Sequence, residues 1–127
     1  MAYDDSNIFA RILRGEIPCR KVYEDGHVLA FHDVHPKTPV HVLVIPKGAY
    51  TDVVDFGARA SDEEQAALLR AVAKIAKDLG IADSGFRSIA NTGLNGGQEV
   101  PHFHIHLLGG GPVGPMISKT ACEDSKN

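Results

Sequence analysis

The segment His102-Phe103-His104-Ile105-His106-Leu107-Leu108 alternates imidazole and apolar side chains with a period of two. That period belongs to a β-strand; wound as a helix, the same residues would scatter around the axis. In a strand the three imidazoles share one face, about 6.6–7 Å apart, and Phe103, Ile105 and Leu107 share the other. The apolar set belongs against a core, which leaves the histidines lining the opposite side. Any fold for this chain must therefore supply a sheet with one packed face and one face open to a cleft. Three of the seven histidines of the chain are committed here.

A length of 127 residues with 43% hydrophobic content suits one domain, 1–127, around a single core. It excludes a disordered chain, a multidomain assembly and a fibrous rod. Thirteen basic against sixteen acidic residues give a net charge of −3, without the basic surplus that nucleic acid demands, so no nucleic-acid partner is expected. Cys19 and Cys122 are far apart and form no CxxC spacing, which suits reduced thiols in a cytoplasmic protein. The acidic start MAYDDSNIF lacks the basic and apolar regions of a signal peptide. No run approaches the ~18 apolar residues of a membrane span, and no membrane partner is expected.

Ser6 is placed to cap a short helix carrying Ile8, Phe9, Ile12 and Leu13, with Gly15 at its end. A strand at 21–24, a two-residue turn at Asp25-Gly26 and a strand at 27–33 form a hairpin. The strand at 40–45 is apolar on both faces apart from His41, which predicts a central position. Ser61 and Glu64 form a capping box for the main helix, whose buried stripe is Leu68, Val72, Ile75 and Leu79. A strand at 86–90, a polar Gly-rich loop at 91–99 and a strand at 101–108 follow, then a tail at 109–127 without periodicity. These elements predict an α+β fold: a five-stranded, mostly antiparallel sheet with one long and one short helix.

Three chemistries suit the histidine face. It can be a solvated polar stripe. It can bind metal, with two imidazoles at i and i+2 and a further ligand from His41 or Glu99. Or it can act on a phosphate, with a neutral imidazole as nucleophile and its neighbours donating to phosphoryl oxygens. The loop at 91–99 can add backbone N–H groups to the same anion, although it is no Walker A motif.

With these residues in view, the sequence resembles the histidine triad (HIT) superfamily, whose signature of His alternating with apolar residues matches 102–108 in full. The likeness extends over about residues 6 to 118: Asn7-Ile8-Phe9, Gly15-Glu16-Ile17-Pro18, Val22-Tyr23-Glu24-Asp25, Phe31-His32-Asp33, Pro39, His41 through Lys47, and Gly96-Gly97-Gln98. It is most similar to the Hint branch of purine nucleoside phosphoramidases; Leu108-Gly109-Gly110 favours that branch over the Fhit-like dinucleoside polyphosphate hydrolases.

The resemblance implies P–N bond hydrolysis of nucleoside 5′-phosphoramidates through a nucleotidyl-histidine, with no cofactor and no metal. By it His104 is the nucleophile, His102 and His106 flank it, and His41 is the fourth active-site histidine. Asp33, with Val34 beside it, accepts from the ribose hydroxyls of a purine nucleotide. Ile8, Phe9, Ile12, Phe31 and Leu43 wall the base, and Asn91, Gly97, Gln98, Glu99 and Val100 approach the phosphate. Family members are homodimers, and a homodimer is expected here.

Three departures qualify the likeness. Asn7 and Ala10 replace a structural-zinc CxxC, Glu99 stands where serine is common, and the chain has no tryptophan. A nucleotide-binding module with little turnover and a Fhit-like hydrolase remain the alternatives. His32 points away from the Asp33 face and is read as structural; His27 and His35 flank turns and are read as solvated.

Overall fold

The computed structural model describes residues 2–118. Along them run α1 (Ile8–Leu13), β1 (Lys21–Glu24), β2 (Val28–His32) and β3 (Val40–Pro46), followed by α2 (Val53–Arg59), α3 (Asp62–Asp78), β4 (Phe86–Ile89), α4 (Gly93–Gly96) and β5 (Ile105–Gly109). The strands form one sheet in the order β1-β2-β3-β5-β4, and every neighbouring pair is antiparallel. The α+β architecture expected from the sequence is the one observed. Cys122 and the end of the tail, 119–127, lie outside the described residues.

The alternation along β3 separates the two faces of the sheet. Val42 and Val44 join Val28, Ala30, Phe103 and Leu107 in a core closed by Leu68, Ala71 and Ile75 of α3. Leu43 and Ile45 face the other way and pack with Leu29, Phe31 and Phe9 of α1. The capping box of α3 forms as expected: the Glu64 N–H donates to Ser61 Oγ and the Ser61 N–H to Glu64 Oε1.

Several local expectations are corrected. Asn7, not Ser6, caps α1 through a bond from the Ala10 N–H, because Asp4 captures the Ser6 hydroxyl. The hairpin turn centres on Gly26-His27, one residue late, because Asp25 Oδ1 accepts from the N–H groups of both His27 and Val28. The fifth strand starts at Ile105 rather than 101, since its preceding groups are bonded elsewhere. The Phe103 N–H goes to the Tyr50 carbonyl, and the His102 carbonyl to the side chain of His104.

Two helices, α2 and α4, were not expected. Past β5 the chain must turn tightly: Gly110 has φ +83°, and a Cβ there would come 3.0 Å from Pro39.

Candidate active site

α1 covers only part of the second sheet face, and the uncovered part is a cleft of about 380 Å³. His104, His106, His41 and Asp33 line it together with Phe9 and Leu43. Asn91, Gly97, Glu99 and Val100 form its loop side. A larger groove of about 590 Å³ lies between the end of α3, β4 and the Gly110–Val113 stretch, but it contains no histidine.

The remaining candidates lie elsewhere. His102 is 0% exposed and sits behind the cleft. Phe31 is buried in the core under α1, Val34 is 82% exposed, and Ile8 is partly exposed outside the cleft. Ile12 lines a separate hollow beside Cys19 and Leu29. Gln98 supports the loop instead of lining the cleft: its amide donates to the Thr51 and Val100 carbonyls and accepts from the Gly93 N–H.

Four cleft residues were not singled out from the sequence: His35, Lys37, Ile89 and Leu108. His35 is therefore exposed but part of the cleft wall. Its N–H donates to Asp33 Oδ1 at 2.8 Å, a contact hinted at by the short Asp-x-His spacing. Ile89 is legible only from register, since it pairs with His106 across β4 and β5. His27, read as solvated, has Nε2 3.2 Å from a Glu63 carboxylate oxygen.

The hydrogen bonds assign the imidazole protons. A carbonyl only accepts, so His104 Nδ1, 2.7 Å from the His102 carbonyl, carries its proton and donates. In the neutral ring this leaves Nε2 with a free lone pair. The Lys37 N–H donates to His41 Nδ1 at 3.0 Å, which puts the neutral His41 proton on Nε2. That nitrogen is 2.9 Å from His106 Nδ1 and 3.4 Å from Asp33 Oδ2. The shorter contact makes His106 Nδ1 the acceptor, and so His106 Nε2 carries a proton available for donation. The site thus presents one bare nitrogen and one N–H donor on adjacent same-face residues, whose rings lie 5.0 Å apart.

Burial holds all four rings in the neutral state. It pushes His41, His102 and His104 below the usual histidine value. His106 is pushed to about 4, by burial first and then by the neighbouring His104 and His41. For His104 the bond to the His102 carbonyl and the Asp33 and Glu99 carboxylates oppose burial without overcoming it. The edge of Phe9 meets His104 at 4.9 Å and closes the site on the α1 side.

Residues 14–113 match the HIT domain. The chain belongs to the HIT family. It is 57% identical over 117 residues to a HIT-like protein of Azospirillum brasilense, covering 92% of this chain and 96% of that one. It is 47% identical over 116 residues to the purine nucleoside phosphoramidase of Escherichia coli, covering 90% and 95%. A HIT family hydrolase from Clostridium thermocellum superposes with a TM-score of 0.82 at 40% identity, covering 91% of this HIT chain and 99% of the other.

One further capacity follows from the geometry. Asp33, His41 and His106 offer ligand atoms within 4.8 Å of one another, a set able to hold a cation. A metal on His41 Nε2 would have to displace the proton that binds His106.

Proposed function

We propose that this HIT family protein hydrolyses the P–N bond of nucleoside 5′-phosphoramidates, AMP-amine or aminoacyl-AMP-like, through a covalent nucleotidyl-His104 intermediate. The observation that carries the reading is the bond from His104 Nδ1 to the His102 carbonyl, which leaves Nε2 bare in the cleft. His104 Nε2 attacks the phosphorus, and the P–N bond breaks as the nitrogen takes a proton from solvent water and departs as the free amine; the water that later hydrolyses the adduct returns one proton to solvent. His106 Nε2–H donates to a phosphoryl oxygen as negative charge builds there. Water then attacks the phosphorus, the bond to Nε2 breaks, and the free imidazole returns.

Asp33 holds the ribose hydroxyls, Phe9 and Leu43 wall the base, and the loop from Asn91 to Val100 approaches the phosphate. Support for this placement comes from the cleft itself and from the 47% identity to the Escherichia coli phosphoramidase. The protein works as a cytoplasmic homodimer in this reading. β4 ends the sheet and offers an edge to a second copy, and no described helix is long and apolar enough to cross a membrane.

His104→Ala is the direct test. Turnover of an AMP-morpholidate-type substrate should fall at least about 10³-fold while AMP binding persists. Rapid quenching of the native protein should trap one AMP per site. Wild-type turnover in the variant overturns the covalent mechanism, and faster turnover of diadenosine polyphosphates moves the chain to the Fhit-like side. The Asp33–His41–His106 set supports a second, metal-dependent reading; loss of activity to a chelator, restored by added zinc, would favour it.

A further inference from the structure

His102 is the one triad histidine outside the cleft, and its surroundings are unusually determinate. Its ring is completely buried, so neither nitrogen reaches solvent. Nε2 lies 2.8 Å from the Pro46 carbonyl and must donate to it. Nδ1 is then an acceptor, and its partner is the hydroxyl of Tyr3 at 2.6 Å, ninety-nine residues away in the chain.

The direction of that bond is set from further back. Asn7 uses its side-chain oxygen to cap α1, accepting from the Ala10 N–H at 2.9 Å. This fixes which end of the amide is nitrogen. Asn7 Nδ2 donates to the Tyr3 hydroxyl at 2.9 Å and to the Asp4 carbonyl at 2.8 Å. Tyr3 thus receives one proton from Asn7 and turns its own toward His102. The bonds run one way, from the cap of α1 to the Pro46 carbonyl, and each acceptor is matched.

We propose that Tyr3 is a positioning residue for the nucleophile, holding His102 in one tautomer and one place so that its carbonyl keeps the proton of His104 on Nδ1. The proposal rests on the reading of His104 as nucleophile. His102 belongs to both halves of the arrangement: its ring is pinned between Tyr3 and Pro46, and its carbonyl accepts from His104 at 2.7 Å. Without the Tyr3 hydroxyl, a buried acceptor is left bare, which is relieved only if the ring turns or residue 102 shifts. A shift of residue 102 carries its carbonyl with it, and the His104 proton is then free to move to Nε2, where it blocks attack.

Two variants test this. Tyr3→Phe keeps the edge-on contact between the two rings, 5.6 Å apart, and removes only the hydroxyl. Asn7→Asp keeps a cap acceptor for α1 but offers Tyr3 an oxygen in place of an N–H, drawing the phenol proton away from His102. Each should lower kcat about tenfold with KM changed less than about twofold. In ¹⁵N spectra of histidine-labelled protein without substrate, each should also shift His102 Nδ1 and move the His104 pair toward mixed tautomers.

Wild-type kcat together with unchanged His102 and His104 resonances in both variants overturns the role of Tyr3. If the native protein turns over no phosphoramidate, the nucleophile reading falls. The ¹⁵N spectra still decide the role of Tyr3 in that case.

Discussion

Each imidazole here does a job set by what touches its other nitrogen. His104 is hung by Nδ1 from a carbonyl, His41 accepts at Nδ1 from the Lys37 N–H, and His106 takes the proton that His41 offers. None of these roles can be read from the repeat of histidines alone, since a strand assigns a face and not a tautomer. The pH dependence follows from the same contacts. An unperturbed imidazole would lose its nucleophilic form below about pH 6.5. Burial lowers His104 and His41 and takes His106 to about 4, so the required neutral forms persist below that point. With chemistry rate-limiting and the acid-catalysed background subtracted, kcat/KM should be flat from pH 7 to about 6 and fall only at lower pH. Half-loss of activity already at pH 6.5 would contradict the neutral cluster.

Among the elements, α3 was the most legible and its cap is the simplest to test. Ser61→Ala removes the acceptor for the Glu64 N–H at an exposed helix end. The expected cost is about 1 kcal/mol, a fall in Tm of about 3–5 °C by thermal unfolding. Turnover should be unchanged, because α3 packs on the sheet face opposite the histidines. The elements missed in the sequence share a physical cause. In α2 only Phe56 is buried while Val53 and Val54 are exposed, so no apolar stripe announces it. α4 is four residues with a glycine at each end and no buried side chain. The faces of β3 and β5 were legible because alternation survives in sequence. The loss of ladder at 102–104 was not, because it depends on Tyr50 and on the side chain of His104. The cleft was legible where alternation survives in the sequence, in the strands at His41, Leu43 and His106 and just before β5 at His104. It was illegible where register or loop return brings in Ile89, Leu108 and Lys37.

For the whole molecule, the buried histidines tie the proposed chemistry of the cleft to stability. Their folded values lie below the ordinary 6.5, so in mild acid the unfolded chain binds protons that the fold does not. Their contribution is complete above about pH 6.5 and is lost as pH falls toward the folded values, about 4 for His106. Carboxylates held low by partners, such as Glu24 at about 2 beside Lys21 and Lys47, release their share only in stronger acid. Urea midpoints should therefore decline between pH 6.5 and 4.5, and His106→Asn should flatten that decline. An equal slope in the variant would sever the link. The order of the sheet has a further consequence, for biosynthesis. β5 is the last strand among the described residues, yet it lies between β3 and β4. Until it emerges from the ribosome, β3 keeps an unpaired edge, and His106 has not joined His41 across the sheet. A nascent chain stalled before residue 105 is an adhesive fragment in need of a chaperone, not a smaller working protein.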